Sequence, residues 1–109
     1  MGTYAVTGSA SGMGSQVAQK LRDAGHRVIG VDLRDADLAA DPSTPEGRRT
    51  AAADVLEAAG GRLDGAVLAA AVGPLPGADS ARLILQVNFF GVVELLEAWR
   101  TAFVRGAKV

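Results

Sequence analysis

Thr7-Gly8-Ser9-Ala10-Ser11-Gly12-Met13-Gly14 separates the short apolar run Tyr4-Ala5-Val6-Thr7 from a stretch, Gln16 to Ala24, that carries Val17, Ala18 and Leu21 on one face. The apolar run reads as a buried strand, and the stretch as a helix with Gly25 where a helix end favours glycine. Arg27-Val28-Ile29-Gly30-Val31, rich in β-branched residues and ended by Asp32, reads as a second buried strand. Together they make a strand–helix–strand unit of the usual size, about thirty residues.

Glycines at the point where a strand gives way to a helix each have a physical task. Gly8 permits the tight turn, Gly12 lets the backbone approach a pyrophosphate with no Cβ in the way, and Gly14 lets the helix pack closely on the strand. The free N–H groups at the helix start attract phosphate charge. With the acid Asp32 ending the next strand, the pattern is a dinucleotide cradle of Rossmann type rather than a bare glycine-rich turn. A P-loop is excluded, because no Gly-Lys-Ser/Thr follows. Gly8, Ser11, Gly12, Met13 and Gly14 are the candidate cofactor-binding residues of the loop.

Asp32 is placed to accept hydrogen bonds from both ribose hydroxyls of the adenosine half, which favours NAD over NADP because a 2′-phosphate would meet like charge. Ser11 leaves no arginine inside the loop to meet that phosphate, whereas Arg34 is a nearby cation able to soften the rejection. Asp41 has two readings, a partner for the adenine amino group or a cap of the turn before Pro42.

Outward from this unit, Ala36 to Ala40 reads as a short edge strand, and Asp41-Pro42-Ser43-Thr44-Pro45 as a turn with Thr44 as N-cap and Pro45 at the first helical position. A helix follows from about Glu46 to Ala59, and Gly60-Gly61 stops it. Gly65 to Ala70 is a third strand, leading into a loop at Gly73–Gly77. One long helix is expected from Ser80 to Val104, apolar nearly all round and so buried on several sides. Ala107-Lys108-Val109 opens a further strand without completing it. Arg48-Arg49 reads as a solvated helix face and His26 as a surface residue. The alternation predicts an α/β fold with a doubly wound parallel sheet, in one domain over residues 1–109.

Composition narrows the function. The 109 residues, 49% apolar and 21% charged, suit one globular core. Eleven basic residues against twelve acidic ones give a net charge of -1 with no basic stripe, which argues against nucleic acid as a partner. The absence of cysteine and the single His26 leave no disulfide framework and no metal centre, and suit a reducing cytoplasm. Neither a signal peptide nor an apolar run long enough to span a membrane is present, so no membrane partner is expected.

The spacing Thr-Gly-x-x-x-Gly-x-Gly at Thr7 to Gly14 resembles the short-chain dehydrogenase/reductase family, and so do Asp64 to Pro74, similar to its fourth strand, and Gln86-Val87-Asn88-Phe89-Phe90-Gly91, similar to its central helix. The segments Ala24-Gly25-His26, Asp32 to Ala36 and Ala53 to Leu56 are similar to a branch acting on hydroxysteroids and carbonyl compounds. The resemblance runs from Tyr4 to about Phe103 and implies the N-terminal, cofactor-binding half of an NAD-dependent oxidoreductase with a hydroxy or carbonyl substrate, steroid-like in that branch.

Two departures qualify what the resemblance implies. Where the family has Asn-Asn-Ala-Gly, this chain has Leu68-Ala69-Ala70-Ala71; Ala70 and Ala71 are small enough for a cofactor ribose to lie against, and Ala71 is strained if that position needs a positive φ. The family's catalytic Ser and Tyr-x-x-x-Lys are missing: the single tyrosine is Tyr4, and the lysines are Lys20 and Lys108. Only Asn88 matches the family's catalytic set, where the resemblance implies that it holds a water or backbone geometry. A non-catalytic dinucleotide-binding or interaction module is the competing reading. Either way, a sheet half with Asp64 to Ala70 as an exposed apolar edge is expected to self-associate into a homo-oligomer.

Overall fold

The structure is a computed structural model that describes residues 1–73, 76–77 and 79–109; Pro74 and Leu75 of the expected loop lie outside the described residues. Among the described residues five strands form one sheet, β1 (Thr3–Thr7), β2 (Arg27–Asp32), β3 (Leu38–Ala39), β4 (Leu63–Leu68) and β5 (Phe103–Lys108), in the order β3-β2-β1-β4-β5. Every pairing is parallel. The chain moves outward from β1 through β2 to β3 and then returns to the other side of β1 at β4. The gap beyond the carboxyl ends of β1 and β4 is therefore the switch point at which open parallel sheets hold ligands.

Helix α1 (Gly12–Asp23) links β1 to β2, and α2 (Pro45–Ala59) links β3 to β4. The last connection runs through α3 (Ser80–Ile84), a π-helical stretch (Leu85–Phe90) and α4 (Gly91–Trp99). Right-handed crossovers put α1 on one face of the sheet and α2 with α4 on the other. Local chemistry sets the ends. Beyond α1, Gly25 at φ +88 lets its own N–H reach Arg22 O while His26 N–H reaches Leu21 O, the paired bonds of a glycine-terminated helix. Thr44 Oγ1 accepts the Gly47 N–H at 3.0 Å and caps α2, with Pro45 at its first position as expected.

The core lies between the sheet and the α2–α4 layer. Ala5, Ile29, Val31, Leu63 and Ala66 of the strands pack against Ala51 and Val55 of α2 and Leu95 and Trp99 of α4. Trp99 is fully buried, and its indole N–H donates to Ala52 O at 3.2 Å.

The expectations for the last helix and for β4 are corrected. The long helix does not reach Val104: it ends at Trp99, a turn closes with Ala102 N–H on Trp99 O, and Phe103–Lys108 becomes β5. Trp99, Ala102 and Phe103 keep helical spacing in the sequence, but pairing with β4 wins over that local pattern, beginning with Leu63 N–H on Ala102 O at 2.9 Å. As a result β4 is not the outermost strand: β5 pairs with it at Leu63 and Gly65, at the start of the segment expected to be an edge. The helix is also not buried all round. Val87, Gly91, Leu95 and Trp99 form its buried stripe, whereas Leu85, Phe89 and Val93 are 50%, 53% and 41% exposed.

A further correction concerns Arg48, which is not on a solvated face but is 4% exposed. Its Nε pairs with Glu94 of α4, and its Nη1 donates to Pro42 O at 3.0 Å and to Gln86 O at 3.4 Å. A single guanidinium thus ties α2 to the loop before it and to the helix across it. Arg49, one residue on, is exposed and only approaches Glu46 at 3.8 Å. Arg48→Met should therefore cost about 1–3 kcal/mol of unfolding free energy in denaturant titrations, while Arg49→Met should stay within about 0.5 kcal/mol of the parent.

Candidate cofactor site

The turn after β1 is fastened to both neighbouring strands. Gly8 and Ser9 donate their N–H groups to Val31 O of β2 at 2.8 and 3.3 Å. On the other side Thr7 O accepts the Ala69 N–H and Thr7 Oγ1 the Ala70 N–H, both at 3.2 Å. Gly8 sits at φ +69, and a Cβ there would stand 2.8 Å from Ala70 N, so the loop lies directly on the end of β4. A Cβ on Gly14 would overlap the Gly8 carbonyl oxygen. Gly12, at φ +57, faces open space where a Cβ would project. The tight turn read for Gly8 and the close packing read for Gly14 are thus present, and Gly12 leaves the space above the loop open.

At the start of α1, Ser11 occupies the N-cap without a side-chain capping bond, and the first turn has no acidic residue. Basic Lys20 and Arg22 complement the dipole at the other end. The first N–H groups of α1 are left for an anion. A cavity of about 520 Å³ opens above this point, bounded by the glycine loop, Asp32 and Asp41 on the β2–β3 side, and Ala70 to Val72 on the β4 side. Gly8, Ser11, Gly12, Met13, Asp32, Asp41, Ala70 and Ala71 all line it, and Gly14 is the buried seat beneath.

Asp32 ends β2, with its Oδ2 on the Ala10 N–H at 3.0 Å and its Oδ1 on the Leu33 N–H at 2.7 Å. One of those donors belongs to the glycine loop, so the carboxylate is aimed by the cradle itself. Asp41 accepts from Ser43 N–H at 2.9 Å and Ser43 Oγ at 2.6 Å through Oδ1, which makes it the turn cap while it still borders the cavity. Gly47 sets its height: a Cβ there would overlap the Asp41 carbonyl oxygen. Nothing in the linear pattern marked Gly47, because the contact is between a loop and the first turn of the helix after it.

Asn88 exchanges two hydrogen bonds with one backbone unit, accepting from Val72 N–H at 2.8 Å and donating to Val72 O at 3.0 Å. It sits in the π-helical stretch, where the Gly91 N–H reaches back to Gln86 O. Its amide is therefore satisfied and fixes the chain leaving β4. Ala71 is not strained: among the described residues Asp35 is the non-glycine residue at positive φ. His26 is half-buried rather than a free surface group, accepting the Gly2 N–H at 2.9 Å and meeting the Tyr4 ring edge-on.

Residues 4–109 match the model of the NAD dependent epimerase/dehydratase family. The chain belongs to this family and, with it, to the short-chain dehydrogenases/reductases. It is 40% identical over 106 residues to a 3-alpha-hydroxysteroid dehydrogenase/carbonyl reductase of Comamonas testosteroni, covering 97% of this chain and 40% of that protein. It is 38% identical over 99 residues to a coniferyl-alcohol dehydrogenase of Pseudomonas, of which it covers 36%. Among solved structures, the 3-alpha-hydroxysteroid dehydrogenase of Pseudomonas sp. B-0831 complexed with NADH superposes with a TM-score of 0.89 at 44% identity, over 97% of this chain and 42% of that one. The chain therefore spans about two fifths of the length of these relatives. No helix among the described residues is long and apolar enough to cross a membrane.

Replacing Asn88 by Ala should release the Val72 backbone. Amide hydrogen exchange at Val72 should speed at least tenfold, with a stability loss of about 1 kcal/mol because the site is exposed to water.

Proposed function

We propose that residues 1–109 form the NAD(H)-binding domain of an oxidoreductase that acts on a hydroxy or carbonyl compound, of steroid-like size. The observation that carries the choice of NAD over NADP is Asp32, whose two carboxylate oxygens are each held by one backbone N–H at the end of β2. A carboxylate so held keeps lone pairs for both ribose hydroxyls and opposes a 2′-phosphate. In this reading the pyrophosphate lies over Gly8, Ser11, Gly12, Met13 and Gly14 at the start of α1. Asp41 borders the adenine, and Ala70 and Ala71 flank the second ribose. Asn88 is a positioning residue, acting through Val72.

The bound cofactor would supply or accept the hydride; these residues bind and orient it. The acid–base Ser and Tyr-x-x-x-Lys of the family are not among residues 1–109 and belong to the remainder of a longer protein in this reading. The substrate class follows the activities of the relatives, a 3-alpha-hydroxysteroid dehydrogenase/carbonyl reductase and a coniferyl-alcohol dehydrogenase. A cysteine-free chain fits the reducing cytoplasm, where we place it.

Calorimetric titration tests the cofactor. NAD(H) should bind at least tenfold more tightly than NADP(H), a difference of about 1.4 kcal/mol. Asp32→Ala should remove that preference by weakening NAD(H) while leaving NADP(H) unchanged or improved. Equal binding of the two cofactors by the parent chain would refute the assignment.

We also propose a homo-oligomer, supported by the exposed Leu85, Phe89 and Val93 on one side of the last helix. Sedimentation of the 109-residue chain should show dimers or larger species, and Phe89→Glu with Val93→Glu should shift them to monomer.

A further inference from the structure

The turn between β2 and β3 is held by a residue that the cofactor reading does not use. β3 is only Leu38–Ala39 and pairs with Val31 and Asp32, so it stops short of Gly30. The Gly30 N–H, left without a strand partner on that side, donates instead to Asp37 Oδ2 at 2.7 Å. Gly30 is also the point on which the glycine loop rests: a Cβ there would stand 2.6 Å from Ser9 Oγ and 3.3 Å from Asp37 Oδ2. The absent side chain lets Ser9 of the cradle and Asp37 of the turn close on the same backbone unit.

Between Asp32 and Asp37 the chain reverses through Leu33, Arg34, Asp35 and Ala36, with Asp35 in the left-handed region at φ +56. The base of the turn is closed by Ala40 N–H on Asp32 O at 2.9 Å. Its far end is closed by Asp37, which also meets Arg22 of α1 at 3.5 Å across an exposed pair. An ion pair so exposed contributes little, whereas a 2.7 Å bond to a half-buried backbone N–H fixes position. Arg34, the cation on this turn, is exposed and makes no ion pair among the described residues.

We propose that Asp37 is a specificity-determining positioning residue. By accepting the Gly30 N–H it holds the Leu33–Ala36 turn so that Arg34 stays away from the adenosine ribose, and Asp32 alone meets the 2′ position. The proposal rests on the reading of Asp32 as the ribose-binding acid. Loss of the Gly30 bond frees the turn, lets the guanidinium swing toward the 2′ position, and offsets the charge of Asp32. The carboxylate of Asp37 thus rejects a 2′-phosphate at second hand, by keeping a cation off it.

The test uses the 109-residue chain and two probes of the adenosine half, adenosine 5′-monophosphate and adenosine 2′,5′-bisphosphate, with affinities read by calorimetry. Asp37→Ala should lower the ratio of monophosphate to bisphosphate affinity by about tenfold, chiefly by strengthening the bisphosphate. Adding Arg34→Ala to that variant should restore the parent ratio. Asp37→Asn, which keeps an acceptor for the Gly30 N–H and loses the charge, should stay within threefold of the parent and serves if the alanine variant does not fold. The proposal is overturned if Asp37→Ala weakens both probes alike with the ratio unchanged. It is equally overturned if Asp37→Asn loses the ratio as completely as Asp37→Ala, or if Arg34→Ala fails to restore it. A parent chain that shows no preference for the monophosphate overturns the reading of Asp32 itself, and this proposal with it. That outcome is separate from a selective parent with an unresponsive Asp37.

Discussion

The seating of α1 on the turn after β1 governs most of what surrounds it. With no Cβ on Gly14, the first turn of the helix rests on the Gly8 carbonyl, and Gly8 in turn rests on the backbone of Ala69 and Ala70. Three elements meet at backbone distance with no side chain between them, which is why the N–H groups of α1 open at the switch point of the sheet rather than above it. A larger residue at either glycine would lift the helix and shift the cradle away from Asp32, whose carboxylate is oriented by the Ala10 N–H of that same loop.

A second constraint runs across the other face of the sheet. Arg48 is a charged group in the interior that finds its partners on three segments: Glu94 on α4, Pro42 in the loop before α2, and Gln86 in the π-helical stretch. Pro42 adjoins Asp41 on the β2–β3 side of the cavity, and the π-helical stretch carries Asn88, which clamps Val72 on the β4 side. One buried guanidinium therefore sets the spacing between the two flanks of the site. Buried charge is tolerated here because it is hydrogen-bonded in three directions and Glu94 keeps contact with water.

The edge of the sheet shows the same economy on a smaller scale. β3 is too short to complete its ladder, and a side chain, Asp37, supplies the missing acceptor for Gly30. That substitution of side chain for strand leaves the turn after Asp32 tight, with Asp35 in a conformation that aspartate tolerates better than most residues. The turn beside Asp32 is thus held by Asp37, a residue that does not line the cavity.

The sequence by itself determined the glycine cradle, the strand–helix–strand unit around it, Asp32 at the end of β2 and the Thr44–Pro45 start of α2, because each depends on local chemistry: backbone freedom, capping and short-range periodicity. The same local logic failed where distant segments compete. Trp99, Ala102 and Phe103 keep a helical spacing, yet the unpaired edge of β4 draws Phe103–Lys108 into a strand. Arg48 reads as solvent-facing beside Arg49, yet a fold that brings Glu94, Pro42 and Gln86 around it takes it into the interior. Asn88 is singled out by its match to the family's catalytic set, but its partner, Val72, is a backbone unit that no side-chain pattern announces. Gly47 and Asp37 escaped for the same reason: what each one touches is set by how loops cross in space, and only the tertiary structure brings those backbone groups together.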